Sequence, residues 1–346
     1  MCKMKDLLVG IDLHSNNHVV GIQDCNDRRI THKKLSNRLP LLLDSLKPYK
    51  DRIREIAVES TFNWYWIVDG LLDSGYKVNL VHPPKVIQYS GLKHTDDKHD
   101  AFFLAHLMRL GILPTGYIYP RELRKVRDLN RKCRRFIEER TSHILSLKSF
   151  VNRQLGNQLS GYKVKTLKEE EIAKMFSDTN LQTIGLVDVH TIQYLSHVIK
   201  KLEKKVLDQV KLRDYFERLL TITGVGKTLA VTILLEVGDI KRFPSPGDYV
   251  SYCRQVKSKR ESNKKKKKKG SNNKKNGNTY LSWVYMEAAC KAVRYSTRAR
   301  AYFNRKMKSG HIMLAYKSVA AKIARASYYM MRDNVDYNED LIFPKP

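Results

Sequence analysis

Four carboxylates stand where metal-assisted phosphoryl chemistry needs them. Asp12 closes the apolar run Leu7-Leu8-Val9-Gly10-Ile11-Asp12, and Glu59 closes a second strand-like run from Ile53. Asp97 and Asp100 lie three apart in a segment of helical periodicity, hence on one helix face. Such oxygens suit hard divalent ions, Mg²⁺ or Mn²⁺, which leave room for phosphate oxygens. Two such ions activate a nucleophile and stabilise a leaving oxygen. Taken singly, each acid reads as an ordinary surface group; their joint placement at element ends argues for a site. Asp96 is better placed as a helix N-cap.

Two further segments carry chemistry. Gly224-Val225-Gly226-Lys227-Thr228 has the end of a P-loop, but the first glycine of that motif falls at Thr221, so an ATPase reading fails. Ile222 to Lys227 followed by Ala230 and Leu234 suits a helix-hairpin-helix, in which backbone N–H groups at a helix start (Gly224, Gly226, Lys227) hold a DNA phosphate. A tight turn between two buried helices is the alternative. The segment Val256-Lys257-Ser258-Lys259-Arg260-Glu261-Ser262-Asn263 sets two serines among cations. A serine there is a candidate phosphoryl-transfer nucleophile, although a serine in a lysine-rich loop is ordinarily inert. His14 and His18, separated by a turn, do not read as a metal pair. Trp64, Tyr65 and Trp66 read as packing for a helix.

These groups sit in a 346-residue chain with 65 Lys plus Arg against 35 Asp plus Glu, a formal charge of +30. That excess points to a polyanion, nucleic acid first. Hydrophobic residues at 42% are enough for cores. No apolar run approaches a membrane span, and the N-terminal run is too short and too charged for a signal peptide; the expectation is a cytoplasmic protein. The five cysteines are widely spaced without C-x-x-C, which argues against a disulfide framework or zinc knuckle.

The elements that position the acids follow from patterning. Strands are expected at 7–12, 18–23, 29–34, 53–59 and 78–82, with helices at 39–46, 64–74 and 97–110. Residues 121–155 predict one long basic helix carrying Arg124, Arg127, Arg131, Arg134 and Arg135. Residues 186–220 predict another, with a heptad-like seam Leu195, Ile199, Leu202, Val206 suited to a coiled hairpin or a dimer contact. Further helices are expected at 280–295 and 311–332. The run Lys264 to Lys269 reads as a solvated loop until it meets phosphate, which makes Lys257, Lys259, Arg260, Lys264 and Lys265 nucleic-acid contacts. The expected division is 1–118, 119–216 and 217–335.

Three early strands followed by alternating helix and strand resemble the ribonuclease H-like order. The motifs G-I-D-L-H-S, V-E-S-T-F-N-W-Y-W, H-P-P-K-V and K-H-T-D-D-K-H-D-A-F-F-L-A, with T-I-T-G-V-G-K-T-L-A, E-V-G-D-I-K-R-F, S-P-G-D-Y-V-S-Y-C and N-G-N-T-Y-L-S-W-V-Y-M-E-A-A, resemble the DEDD transposases of bacterial insertion sequences, specifically the insertion-sequence-110 family. The likeness runs from about residue 7 to 330. It implies an α/β RuvC-like ribonuclease H domain with metal-binding acids Asp12, Glu59, Asp97 and Asp100, a helical coiled-coil segment, and a mainly α C-terminal domain with a serine nucleophile. That serine aligns with Ser262. The family pattern has Gly next where this chain has Asn263, so Ser258 stays open. The resemblance also implies donor and target double-stranded DNA, a structured guide RNA gripped by the long basic helices, and a homo-oligomer, dimer or tetramer, in a nucleoid-associated protein. Two other readings use the same residues: a metal-dependent nuclease of the Holliday-junction-resolvase type with water as nucleophile, and a non-enzymatic nucleic-acid-binding protein.

Overall fold

The computed structural model describes residues 6–86, 96–211, 215–256, 277–308 and 310–344. The chain divides into two compact units, Met1–Tyr119 and Pro120–Pro346. Among the described residues no helix is long and apolar enough to cross a membrane.

The first unit is built on strands β1 (Leu7–Leu13), β2 (Asn17–Asp24) and β3 (Arg29–Ser36), helix α1 (Leu39–Leu46), strand β4 (Ile53–Glu59), helix α2 (Tyr65–Asp73), strand β5 (Val78–Val81), the short helix α3 (Pro83–Val86) and helix α4 (Asp97–Arg109). The five strands lie in the order β3-β2-β1-β4-β5. β1 to β3 pair antiparallel, and β4 and β5 run parallel to β1. β1 is buried along all seven residues, as its near-continuous apolar run requires for a strand covered on both faces. β3, with Arg29, His32, Lys33 and Lys34, is largely exposed at the sheet edge, where charge discourages edge-to-edge pairing.

Alternation sorts the two faces. Leu7, Val9, Ile11 and Leu13 pack with Ile56, Val58 and the α1 and α2 residues Leu42, Leu46, Ile67 and Leu71. On the other face Leu8 and Ala57 meet Leu104, Ala105 and Met108 of α4. Gly10 shares that face, and a Cβ there would lie 1.9 Å from the Ala101 carbonyl oxygen. Only glycine permits the helix to sit this close.

The second unit begins with α5 (Arg121–Leu155), followed by α6 (Gly161–Thr166), α7 (Glu169–Met175) and α8 (Thr179–Val210). The expected helix at 186–220 therefore starts earlier and stops at Val210. The Asp178 carboxylate accepts from the N–H groups of Asn180 and Leu181 and sets the start. α5 and α8 pack antiparallel: Ile144 and Val151 cluster with Val189 and Ile192, Cys133 with Leu195 and Ile199, and Val126 with Val206 and Val210. The seam thus serves an intramolecular hairpin. Helices α9 (Phe216–Leu220), α10 (Lys227–Val237), α11 (Pro246–Tyr252), α12 (Thr279–Tyr295), α13 (Thr297–Met307), α14 (Ile312–Asp333) and α15 (Glu339–Ile342) complete the unit. Their core includes Tyr249, Tyr285 and Tyr328. Cys25 is disulfide-bonded, which wide spacing in the sequence did not indicate, while Cys133, Cys253 and Cys290 are free.

Candidate active site

Period two and parallel pairing bring the first two acids together. Asp12 follows Leu8 and Gly10 on the α4 face, and Glu59 follows Ala57 on the same face. β1 and β4 are parallel and in register through Ile11 and Val58, so one further step sets Asp12 beside Glu59. Their carboxyls are hydrogen-bonded. Asp12 is 3% exposed.

Helix α4 supplies the other two. Its stripe Ala101, Leu104, Ala105 and Met108 lies on the sheet, and its first turn carries Asp97 and Asp100. Asp96 caps it as expected, accepting from His99 N–H at 2.6 Å. The close seat at Gly10 holds this turn over the end of β1. Asp97 Oδ2 accepts from Lys34 Nζ at 2.9 Å. The Asp100 charge acts on both Asp12 and Glu59. All four acids expected from the sequence thus gather at one end of the sheet.

A fifth side chain joins them. His14 Nε2 lies 3.1 Å from Asp12 Oδ2 and 3.3 Å from Asp97 Oδ1. Its main chain is pinned: the His14 carbonyl accepts from Asn37 Nδ2 and Asn63 Nδ2, each at 3.0 Å, and its N–H donates to Asn17 O at 2.9 Å. Sequence spacing set this histidine aside with His18, because a turn separates them. His18 does pack away, with Nδ1 3.0 Å from Asn37 Oδ1. The available signal was the position of His14 two residues beyond Asp12, which returns it to the same side as the strand-end acid.

The electrostatics reflect crowding. Burial pushes the Glu59 carboxyl up to about 8, helped by the hydrogen bond and charge of Asp12 and by Asp100. Burial also raises Asp12, against the opposing effects of Glu59 and His14. Half-buried Asp97 is held below the usual carboxylate range by its hydrogen bond to Lys34. Among the described residues, Asp12 Oδ2 and His14 Nε2 are buried without a hydrogen-bond partner. Ligand atoms of Asp12, His14 and Asp97 all lie within 4.8 Å of one another. Unsatisfied donor atoms among crowded acids fit a divalent cation.

Residues expected to contact nucleic acid divide by environment. Ser258, Ser262, Lys257, Lys259, Arg260, Lys264 and Lys265 lie outside the described residues. Arg124 is buried. Arg131 is half-buried and already paired: its guanidinium donates two hydrogen bonds to Glu236, at 2.6 and 2.7 Å, and lies 4.6 Å over the Tyr280 ring. Glu236 is 1% exposed and also accepts from Asn278 at 2.7 Å. A buried carboxylate needs such a partner, so Arg131 is held by the fold. Arg127 is half-buried. Arg134 lies 3.5 Å over the Trp283 ring and pairs with Glu138, and exposed Arg135 pairs with Glu139. Gly224 turns with φ +97°, and a Cβ there would sit 2.4 Å from Ala288 O. Gly226 precedes α10, whose first residue, Lys227, is exposed. This turn, Arg134, Trp283 and Lys291 line a cavity of about 700 Å³.

A second cavity, of about 570 Å³, was not evident in the sequence. Lys306 of α13 and Lys317, Lys322 and Arg325 of α14 line it, with Gln255 and Val256. Burial holds Lys322 below the usual lysine range, reinforced by Arg305, Arg325 and Lys306.

Comparison with protein families gives two matches. The model described as "Transposase IS116/IS110/IS902 family" matches residues 216–304. A DEDD-type model of the same group, described as "Transposase", matches residues 9–154. Among curated proteins none matches the chain.

Proposed function

This chain belongs to the IS116/IS110/IS902 family of DEDD transposases and is a DNA transposase, and from that premise we propose that it cuts and rejoins DNA through a covalent phosphoserine at Ser262, with divalent ions held by Asp12, Glu59, Asp97 and Asp100. The observation that carries this reading is the gathering of four carboxylates, two of them sharing a hydrogen bond, at one end of a buried sheet. Bound Mg²⁺ or Mn²⁺ would offset the negative charge that builds on the phosphoryl oxygens.

The remaining roles belong to the chain itself. The Ser262 hydroxyl gives up its proton and its oxygen bonds to phosphorus, while the bond from phosphorus to a deoxyribose oxygen breaks and that oxygen takes up a proton. The serine phosphodiester retains the energy of the broken linkage. A hydroxyl on another DNA end then displaces the serine, and no ATP is needed, in keeping with the missing P-loop glycine at Thr221. Ser262 falls inside the second matched region, 216–304.

The strand order β3-β2-β1-β4-β5 supports a RuvC-like ribonuclease H fold for the first unit. For the turn at Gly224 and Gly226, a helix-hairpin-helix role is supported by the open space beside Gly226 and the exposed Lys227. Exposed Arg135 and the cationic cavity on α14 suit backbone contacts with donor and target DNA and with a structured guide RNA. Sequence choice delegated to base pairing asks only such contacts of the protein. Ile184, Val187 and Tyr194 are exposed along α8, which fits assembly as a dimer or tetramer. The setting we propose is the bacterial cytoplasm, at the nucleoid.

The test is replacement of Ser262 by Ala, and separately Ser258 by Ala, followed by a search for protein covalently bound to cleaved DNA. Loss of the adduct in Ser262→Ala alone supports the assignment. An adduct that persists there moves the role to Ser258. Undiminished cleavage in both variants, leaving free 5′-phosphate ends, identifies a water-using nuclease of the resolvase type.

A further inference from the structure

We infer that His14 is a nitrogen ligand of the divalent ion in the acid cluster, so that the site favours Mn²⁺ over Mg²⁺. The inference rests on the proposed acid cluster and adds a donor outside the four carboxylates.

The first argument is distance. Ligand atoms about 2.1 Å from an ion stand about 3.0 Å apart along an octahedral edge and about 3.4 Å apart along a tetrahedral one. His14 Nε2 stands 3.1 Å from Asp12 Oδ2 and 3.3 Å from Asp97 Oδ1, inside that interval. The second is environment. His14 Nε2 and Asp12 Oδ2 are both buried atoms, and the imidazole nitrogen stands between two carboxylate oxygens, Asp12 Oδ2 and Asp97 Oδ1, a nitrogen-and-oxygen donor set that a shared cation can take up. The third is restraint. Two asparagine amides from different segments hold the His14 carbonyl, Asn37 and Asn63, so the ring is carried on a fixed backbone. On Asp97, Lys34 takes Oδ2 and leaves Oδ1 toward His14.

The chemical consequence concerns ion choice. Mg²⁺ keeps oxygen ligands and sheds water reluctantly, whereas transition ions accept imidazole nitrogen more readily. A site with one nitrogen among its oxygens therefore shifts its preference toward Mn²⁺.

The test is Mn²⁺ alone titrated into the full chain, read by electron paramagnetic resonance, with electron spin-echo modulation reporting directly bound nitrogen. We expect nitrogen modulation in the unaltered chain and none in His14→Ala. Mn²⁺ affinity should fall by about tenfold or more, as for loss of a supporting metal contact, while Mg²⁺ affinity, measured by competition, changes by less than about threefold. His14→Asp should restore tight binding without the nitrogen signal, a second variant that guards against misfolding of the first. Bound Mn²⁺ with no nitrogen modulation in the unaltered chain, or modulation that survives in His14→Ala, overturns the assignment of His14. Asp12→Asn separates the premise: if Mn²⁺ binds that variant undiminished, the acid cluster itself is not the ion site.

Discussion

Replacing Gly10 by Ala tests how the site is held. The new Cβ would stand 1.9 Å from Ala101 O and 3.0 Å from Ala101 C and Ala105 N, all backbone atoms. Ordinary contact begins near 3.4 Å, so α4 and β1 must separate by about 1.5 Å. Overpacking of this kind costs about 1–3 kcal/mol, and loss of glycine's freedom in the unfolded chain returns about 0.5–1 kcal/mol. The expected net loss lowers the melting temperature of the first unit by about 4–8 °C. Activity should fall further than stability. Asp97 and Asp100 ride on the displaced helix and Asp12 on the strand, and a misplacement of about 1 Å costs about a hundredfold in rate. The assays are DNA strand cleavage below the melting transition and thermal unfolding. Gly161→Ala is the control, because a Cβ there meets nothing within 4 Å. A Gly10→Ala chain that melts and cleaves like the unaltered one refutes the argument that this glycine sets the helix over the acids.

Two other perturbations probe charges away from the acids. Glu236→Gln leaves the Arg131 guanidinium without its carboxylate; removing one partner of a buried pair costs about 3–5 kcal/mol, and with Arg131 31% exposed we expect about 2–3 kcal/mol, a melting shift of about 4–12 °C in the second unit, whereas an unchanged melting temperature would show the pair contributes nothing. Burial works to raise the Asp27 carboxyl, but hydrogen bonds and charge from His106 and Arg109 outweigh it and hold the group below the usual range. The stabilisation is therefore present above the ordinary aspartate value and is lost as pH falls through the depressed one. Unfolding followed from pH 5 down to about 2 should show a shallower acid-side decline in Asp27→Asn, and identical profiles would remove Asp27 from the acid response.

Much of the first unit was legible because its information is local. Alternation places Asp12 and Glu59 on the same faces as their neighbours two residues back, the 3–4 spacing of α4 sets its acids on the turn before its apolar stripe, and Asp96 has the chemistry of a cap. The helix boundaries at 179 and 210 were harder to read, since the Asp178 cap lies ahead of the clear apolar repeat.

The set of acids and the elements that end in them are readable in the chain through periods of two and of three to four residues, and the excess of positive charge through composition. Which groups meet is a matter of long-range packing. Packing turned His14 back onto Asp12 and Asp97, tied Arg131 to Glu236 across 105 positions, and drew Lys306, Lys317, Lys322 and Arg325 around one cavity. A charged side chain's partner is set by contacts between distant segments, while periodicity reports only which face each segment turns inward.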